Sequence, residues 1–492
     1  MNPTLFQSFH WYSEGNAAFY DQLKESAPYL TSLGITSVWI PPAYKSAGGG
    51  YSVGYDPYDL FDLGEFDQKG TVATKYGTKE QLLSACKALQ EEGIGIIADI
   101  VINHKAGGDE KEKFHVVEVS EHNRQENLSE PFEIESYTRF TFPGRQGKYS
   151  DFEWNFSCFS GVDFAEGREG GIYQIINEFG EGWEEVIGYE KGNYDYLMYN
   201  DIEHRNPFVR EELGHWGSWY HEQIFFDGVR LDAVKHQSPR FYQEWLNNLR
   251  SNTGKNLFAV GEYWAPGHLP LLLDYIEATK GCMSLFDASL QHLFHQASNQ
   301  GAEFDLRNLL KDTLVSARPD LAVTVVDNHD TQPLQQLEAP VEAWFKPLAY
   351  AFILLRQEGV PCLFAPDLYG ASYEDHGKDG NSYEIHLSKT AHIEELLTAR
   401  KNFAYGMQRD FFDGKNAVGW TREGDEQHSG LAVTLSNFEA YTIPMEIGSR
   451  YAGKRFYDLL GNSQEEIEID NEGWGDFPCP AGSLSVYVLK ED

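Results

Sequence analysis

The stretch Gly228-Val229-Arg230-Leu231-Asp232-Ala233-Val234-Lys235-His236 begins as an apolar strand and ends in charged residues. Arg230 and Asp232 are two residues apart, so their side chains leave a strand on the same side. An arginine beside a carboxylate favours the ionised form of that carboxylate. An ionised aspartate at the end of a buried strand is a candidate nucleophile.

Two further apolar runs also end in acids. Val260-Gly261-Glu262-Tyr263-Trp264 offers Glu262, and Val325-Val326-Asp327-Asn328-His329-Asp330 offers Asp330. The aromatic neighbours of Glu262 predict partial desolvation, which raises the pKa of a carboxyl group. One such acid is more often a cap or an ion-pair partner, but three at three strand ends indicate a catalytic cluster.

Eight short runs rich in Val, Ile and Phe alternate with helix-like stretches. Continuous apolar runs are typical of parallel strands that are buried on both faces. Eight strand–helix units predict an α/β fold, a TIM (β/α)8 barrel, whose active site lies at the C-terminal ends of the strands. The predicted strands are Leu5–Trp11, Ser37–Pro42, Gly95–His104, Gly228–Val234, Leu257–Trp264, Ser284–Leu290, Ala322–Asp330 and Pro361–Tyr369.

Local signals mark the ends of several helices. Thr78-Lys79-Glu80-Gln81 is a capping box, and Asn206-Pro207 and Ser238-Pro239 are typical helix starts. Gly254 is expected to close the helix that begins after Ser238.

One connection is too long for a barrel loop. More than a hundred residues separate His104 from Gly228, against about 2–6 for an ordinary strand-to-helix loop. We therefore expect an irregular β-rich domain inserted after the third strand, with a strand near Tyr137–Phe142, and an all-β domain at the C-terminus. The expected boundaries are 1–104 and 205–395 for the barrel, 105–204 for the inserted domain and 396–492 for the C-terminal β-sandwich.

The composition narrows the range of partners. The chain has 39 Lys and Arg against 76 Asp and Glu, a net charge of −37, which disfavours nucleic acid and anionic membranes. The odd number of cysteines, five, indicates no disulfide framework. Since the chain also opens without a signal-like segment and has no membrane-spanning run, we expect a cytoplasmic protein, and we expect it to be a monomer.

The acid cluster matches the needs of retaining glycoside hydrolysis. That reaction uses an ionised nucleophile and a protonated acid about 5–5.5 Å apart. Asp232 fits the first role and Glu262 the second, while Asp330 would stabilise the sugar cation or hold ring hydroxyls. His104 and His329, at the ends of the third and seventh strands, are candidate donors to sugar hydroxyls.

Four segments, Asp99–His104, Gly228–His236, Val260–Trp264 and Val326–Asp330, resemble the signature regions of the α-amylase family of glycoside hydrolases. The resemblance extends to nearly the whole chain, which looks like the intracellular bacterial members related to the liquefying bacillar enzymes. It implies endo-hydrolysis of α-1,4 bonds in starch, glycogen or maltodextrins, with Asp232 as nucleophile, Glu262 as acid/base and Asp330 as transition-state stabiliser. The expected substrate contacts are Arg230, His104, His329, Tyr55, Lys235 and His236, together with Trp264 beside the acid.

The resemblance also implies a structural calcium between the barrel and the inserted domain. Calcium takes oxygen ligands. Asn103, Asp195 and Asp201 match the family's side-chain ligands, and His236 would supply its backbone carbonyl. A second metal cluster of some relatives is not expected, because Glu184 and its neighbour stand where those relatives have Asp.

Two other functions remain open at the level of sequence. The same acids would serve a transglycosylase or a hydrolase limited to maltooligosaccharides, and product analysis would separate these from an endo-acting enzyme. A non-catalytic sugar-binding protein on the same fold would usually have lost at least one of the three acids.

Overall fold

The barrel is the centre of the molecule. The structure, a computed structural model, describes residues 2–490. Within them eight parallel strands close into a barrel, since the first strand pairs with both the second and the eighth. The barrel strands are β1 (Leu5–Gln7), β2 (Ser37–Ile40), β3 (Gly95–Ile100), β4 (Gly228–Leu231), β5 (Phe258–Gly261), β6 (Ser284–Phe286), β7 (Ala322–Val325) and β8 (Val360–Phe364).

The TIM barrel prediction is confirmed, and all eight predicted strands overlap observed ones. The observed strands end earlier than predicted. After β4 the chain leaves the strand at Ala233, whose φ is +50°, and forms the short 3-10 helix Val234–His236. After β6 and β8 the chain forms the helices Ala288–Gln300 and Ala365–Tyr369, so most of the residues predicted to continue these two strands are helical.

Ten α-helices of the described chain surround the barrel or adjoin it. Thr78 forms the predicted capping box with Gln81, Asn206 caps a helix that has Pro207 in its first turn, and Gly254 closes another in the left-handed conformation. The helices are Phe19–Ser32, Lys79–Glu91, Pro207–Ile224, Pro239–Thr253, Leu269–Ala278, Ala288–Gln300, Leu314–Ala317, Lys346–Leu355, Ala365–Tyr369 and Ile393–Asn402.

The insertion after β3 and the C-terminal region are both built from antiparallel strands. The six-stranded sheet of the insertion has the order His104–Lys105, Asn200–Ile202, Phe159–Val162, Ile172–Ile175, Glu110–Val119, Phe132–Arg139. The C-terminal six-stranded sheet has the order Gln408–Phe411, Ala417–Gly424, Ser429–Ser436, Leu484–Leu489, Arg455–Asp458, Ile467–Glu468, beside the pair Tyr441–Glu446 and Trp474–Cys479.

The inserted and C-terminal β domains are thus present. The boundary expected after residue 395 falls inside the helix Ile393–Asn402, and the precise boundaries stay a prediction. Two small two-stranded sheets complete the fold: Lys45–Ser46 with Pro57–Asp59, and Ala371–His376 with Ser382–Leu387.

Candidate active site

Arg230 on β4 organises the acids above the barrel. Its guanidinium is 1% exposed, and its Nη1 lies 2.6 Å from Asp232 Oδ1 and 2.9 Å from Asp99 Oδ1. Its Nη2 pairs with Glu262. Two of the three predicted acids therefore share one buried cation. Burial alone would lower the pKa of Arg230, but its four acidic or phenolic neighbours raise this pKa well above its ordinary value, so the guanidinium stays charged.

The backbone fixes the positions of Asp232 and Glu262. The Asp232 amide donates to the Ile100 carbonyl at 2.9 Å, and the Glu262 amide donates to the Leu231 carbonyl at 3.0 Å. These hydrogen bonds continue the pairing of β4 with β3 and β5 by one residue, so the ordered backbone includes Asp232 and Glu262. Both side chains are 11% exposed, so a substrate above the barrel can reach them.

The pKa of Glu262 is shifted in the direction expected for a general acid. Burial raises it to about 8, against the lowering effect of Arg230 and with support from the negative charges of Asp232 and Asp330. The sequence prediction of a raised pKa for Glu262 agrees with this. The neighbouring Tyr263 is buried, and its hydroxyl donates to the Ile187 carbonyl at 2.8 Å.

Asp330 lies in a tight turn that follows β7. The Asn328 side-chain oxygen accepts from the amides of Asp330 and Thr331, both at 2.9 Å. Asp330 Oδ2 lies 3.2 Å from His329 Nε2, and the carboxylate is 19% exposed. Burial raises the pKa of Asp330 to about 7, and Arg230, Asp232 and Asp99 are close enough to influence it. The third predicted acid thus belongs to the same cluster.

An aromatic stack borders this cluster. The ring of Tyr55 lies parallel to that of His329, with centroids 4.9 Å apart, and parallel to that of Trp11 at 5.9 Å. Gln7 on β1 holds His329 through a 2.9 Å hydrogen bond to Nδ1. Burial lowers the pKa of His329 well below its ordinary value, so the imidazole is neutral.

The remaining predicted contacts lie around the cluster. Trp264 packs against the apolar barrel interior. His104 is buried, with its Nε2 2.9 Å from the Tyr55 carbonyl. Lys235 pairs with Glu190 from the insertion, and His236 Nδ1 lies 2.7 Å from the Tyr194 carbonyl.

Sequence reasoning missed Asp99 on β3 as a site residue. Asp99 is fully buried and accepts hydrogen bonds from Arg230, from Trp39 Nε1 at 2.9 Å and from the Tyr55 hydroxyl at 2.8 Å. It therefore connects the cation to the aromatic stack. The sequence feature that could have identified Asp99 is a charged residue inside an otherwise apolar run, at the start of the Asp99–His104 segment.

A buried ion cluster under the Asp330 turn was also missed. Lys346 Nζ lies 2.7 Å from Asp327 Oδ2 and 2.5 Å from Asp367 Oδ1. The Tyr350 hydroxyl donates to the other oxygen of Asp367 at 2.6 Å. Asp327 opens the segment that carries His329 and Asp330, so this cluster fixes the base of the turn.

The four predicted calcium ligands come together between the barrel and the insertion. Asn103 Nδ2 lies 3.0 Å from the His236 carbonyl, and the Ile202 amide, beside Asp201, donates to the Asn103 carbonyl at 2.8 Å. Asp195 and Asp201 are 4% and 2% exposed. No lysine or arginine of residues 2–490 forms an ion pair with either.

The chemistry of this donor set fits a calcium ion. Burial raises the pKa of Asp195 to about 7 and that of Asp201 well above its usual range, the expected effect of buried carboxylates that lack a partner cation. Among the described residues, no three Asp, Glu, His or Cys side chains are grouped so that they could hold a metal ion. The predicted set contains two such side chains, Asp195 and Asp201, and its other two donors are an amide and a backbone carbonyl.

Comparisons with known proteins agree with this geometry. Residues 21–424 match the family described as alpha amylase, catalytic domain, and residues 431–488 match the alpha-amylase C-terminal family. The chain is 49% identical to the cytoplasmic alpha-amylase of Escherichia coli (strain K12) over 492 residues, which are 100% of this chain and 99% of that protein. It is 46% identical to the alpha-amylase of Bacillus licheniformis, covering 100% of this chain and 94% of that one.

Two further relatives extend the comparison. The glucan 1,4-alpha-maltohexaosidase of Bacillus sp. (strain 707) is 43% identical, over 99% of this chain and 93% of its own. Among solved structures, an Anoxybacillus alpha-amylase has a TM-score of 0.65 at 16% identity, over 100% of this chain and 98% of that one. At 16% identity, the similarity to the Anoxybacillus structure supports the fold alone. From the two family matches and the full-length identities, the chain belongs to the α-amylase family and is an α-amylase-type glycoside hydrolase, an enzyme class whose substrates are α-glucans.

Proposed function

We propose that Asp232, Glu262 and Asp330 are the catalytic residues of an endo-acting, retaining hydrolase of α-1,4-glucans. The observation that carries this assignment is the position of all three acids at the C-terminal ends of β4, β5 and β7, around the buried side chain of Arg230. That edge of a TIM barrel is where catalytic groups of this fold lie.

Asp232 is the nucleophile. The guanidinium of Arg230 offsets its negative charge and holds one oxygen, which leaves the other to attack the anomeric carbon. As the bond from Asp232 to that carbon forms, the glycosidic carbon–oxygen bond breaks, and the departing oxygen takes the proton of Glu262. The product of this half-reaction is a glucosyl ester of Asp232 and a shortened glucan with a free hydroxyl.

Glu262 reverses its role in the second half-reaction. Now ionised, it takes a proton from water, whose oxygen attacks the anomeric carbon and displaces Asp232. Two inversions restore the α configuration. The raised pKa of Glu262 suits both steps, because a group that titrates near the working pH can give and take a proton.

Asp330 and the neutral His329 hold the reacting sugar. Their atoms lie 3.2 Å apart beside Arg230 and the Tyr55 ring, so a sugar over Asp232 would meet two adjacent polar groups and an aromatic face. Hydrogen bonds to ring hydroxyls that strengthen as the sugar becomes cationic lower the barrier.

Asn103, Asp195, Asp201 and the His236 carbonyl would hold calcium. When bound, the ion would supply a positive charge for the buried carboxylates and a link between the inserted domain and the barrel. His236 is four residues from Asp232, so this link would also restrain the segment that carries the nucleophile.

We infer that the protein is a cytoplasmic monomer. The support for the compartment is the relative named as a cytoplasmic alpha-amylase and the five unpaired cysteines, which suit a reducing environment. No helix within residues 2–490 is long and apolar enough to cross a membrane.

The test is Asp232→Asn, with the exposed Asp413→Asn as the matched control. We expect starch hydrolysis to fall by roughly 10⁴-fold or more in the first variant and to stay unchanged in the second, with the same melting temperature in both. NMR of the wild-type reaction should show the α-anomer first, and chromatography of amylose products should show a spread of internal cleavage products. Early β-anomer would refute the retaining mechanism, and glucosyl transfer to an added sugar acceptor in preference to water would indicate a transglycosylase.

A further inference from the structure

A β-hairpin stands above the barrel without belonging to either β domain. It pairs Ala371–His376 with Ser382–Leu387 and follows β8 after the short helix Ala365–Tyr369. Because β8 ends at the same edge of the barrel as the strands that carry the acids, the 371–387 hairpin rises beside the active site.

The two faces of the 371–387 hairpin differ. Side chains alternate along a strand, and the register places Tyr373 and Asp375 on one face with Tyr383, which lies directly opposite Asp375. Glu374, Glu384 and His386 belong to the other face, which is exposed. One face is therefore directed at the protein and the other at solvent.

Tyr12, in the loop after β1, anchors the first face. Its ring stacks on that of Tyr373 with centroids 3.9 Å apart and planes 12° apart. The Tyr12 hydroxyl donates to Asp375 Oδ2 at 2.6 Å and accepts from Gln335 Nε2 at 2.7 Å. The Tyr373 hydroxyl donates to the Pro333 carbonyl at 3.0 Å. Three of these contacts join the hairpin to the loops above the barrel, and the bond from Gln335 holds Tyr12 in place.

The anchor is continuous with the active site. Trp11 precedes Tyr12, and its ring lies parallel to Tyr55 and His329, the aromatic stack beside the acids. The Trp11 amide donates to Gln332, two residues after Asp330. A glucan that leaves the catalytic cluster over Trp11 would next meet the face of the hairpin that carries Tyr383.

Tyr383 is an exposed aromatic ring held in a fixed position. It is 43% exposed, and its hydroxyl donates to Asp379 Oδ2 at 2.8 Å. A Cβ at Gly377 would come within 2.8 Å of the ring, so the glycine lets the ring rest on the turn. A preorganised flat ring binds a ligand at a low cost in conformational entropy.

We propose that the 371–387 hairpin is a wall of the glucan cleft and that Tyr383 stacks on a glucosyl unit remote from the scissile bond. The inference deepens the proposed function, on which it rests, by naming a residue that selects for chain length. A short substrate ends before it reaches Tyr383, so the ring acts only on longer glucans.

The test compares Tyr383→Leu, which removes the flat ring but keeps an apolar side chain on the turn, with Tyr383→Phe, which keeps the ring. His386→Leu, on the opposite face, is the matched control. With maltodecaose we expect kcat/KM of Tyr383→Leu to fall about threefold to tenfold, the usual scale of one stacking contact, and that of the other two variants to stay within twofold of wild type. With a chromogenic maltotrioside all four proteins should be equal.

Binding provides a readout that does not depend on hydrolysis. In the Asp232→Asn background, calorimetry should show that Tyr383→Leu weakens binding of maltodecaose but not of maltotriose. If wild type fails to hydrolyse either substrate while this difference in binding persists, the proposed function fails, but the assignment of Tyr383 as a residue that binds long glucans stands. Equal losses on long and short substrates, or no loss on either, would overturn the inference.

Discussion

Replacing Lys346 by Met tests whether the buried ion cluster supports the Asp330 turn. Lys346 is the only cation within 4 Å of Asp327 and Asp367 in the described chain, and these carboxylates are 3% and 0% exposed. Removing one partner of a buried ion pair costs about 3–5 kcal/mol, because the other charge stays buried and unpaired. Here two carboxylates would stay behind, so the upper part of that range applies.

The melting temperature converts this cost into a measurable shift. For a cooperative unit of about 400 residues, a loss of 3–5 kcal/mol lowers the melting temperature by about 4–6 °C. The loss should be smaller at pH 5.5 than at pH 8, because burial has already raised the pKa of Asp327 to about 6 and its protonation relieves the unpaired charge. kcat on amylose should also fall, because Asp327 begins the segment that ends in Asp330. In that segment Asp327 also accepts a 3.2 Å hydrogen bond from the Val341 amide, so a shift of its carboxylate would disturb the turn.

The exposed Lys24→Met is the matched control for this experiment and should change neither quantity. Differential scanning calorimetry at the two pH values, with initial rates on amylose, gives both readouts. A shift of less than 1 °C at pH 8, or a larger shift at pH 5.5 than at pH 8, would refute the electrostatic reasoning. Loss of stability with an unchanged kcat would refute the connection to Asp330.

Two further predictions concern Glu262 and the calcium ligands. The proposed role of Glu262 requires a proton, and burial raises its pKa to about 8, so kcat/KM should fall above about pH 8. Asp330→Asn removes a negative neighbour and should move this limb of the residual activity to lower pH; a pH–rate profile that moves upward would contradict the assignment. Chelation with EDTA should lower the melting temperature of wild type but not that of Asp195→Asn. If calcium is present at 100 times its Kd, the loss of stability in wild type should be about 3 kcal/mol. Equal responses of the two proteins would count against the proposed ligands.

The sequence predicts those parts of the fold that depend on local chemistry. The capping box at Thr78, the proline-marked start at Asn206 and the closing Gly254 all lie where the residues place them. The predicted strands run past the observed strand ends, because the residues after each strand are still apolar although the backbone has already left the barrel wall. Ala233 shows this best: nothing in its type predicts a positive φ, which the surrounding tertiary structure imposes.

Contacts between distant segments account for what the sequence did not predict. Asp99 and Arg230 are 131 residues apart, and Lys346 meets Asp327 only because the chain returns to the barrel wall, so no local pattern joins either pair. The 371–387 hairpin was missed for another reason: its outer face carries Glu and His, which lower its resemblance to a strand. Its turn signal, Asp379-Gly380, was the feature by which it could have been found.

The arrangement around Arg230 explains how similar acids acquire different roles. Asp99, Asp232, Glu262 and Asp330 surround one guanidinium, so full ionisation would leave three uncompensated negative charges in a largely buried site. Burial and mutual repulsion therefore raise the pKa of Asp99 to about 6, of Asp330 to about 7 and of Glu262 to about 8. Their hydrogen bonds differ: Asp99 accepts from three donors, whereas Glu262 has Arg230 and a weak contact of 3.5 Å from the Ala233 amide. Near neutral pH Glu262, at the end of β5, is therefore the acid best placed to keep its proton, as its proposed role requires, and Arg230 supports the carboxylate of Asp232, the proposed nucleophile.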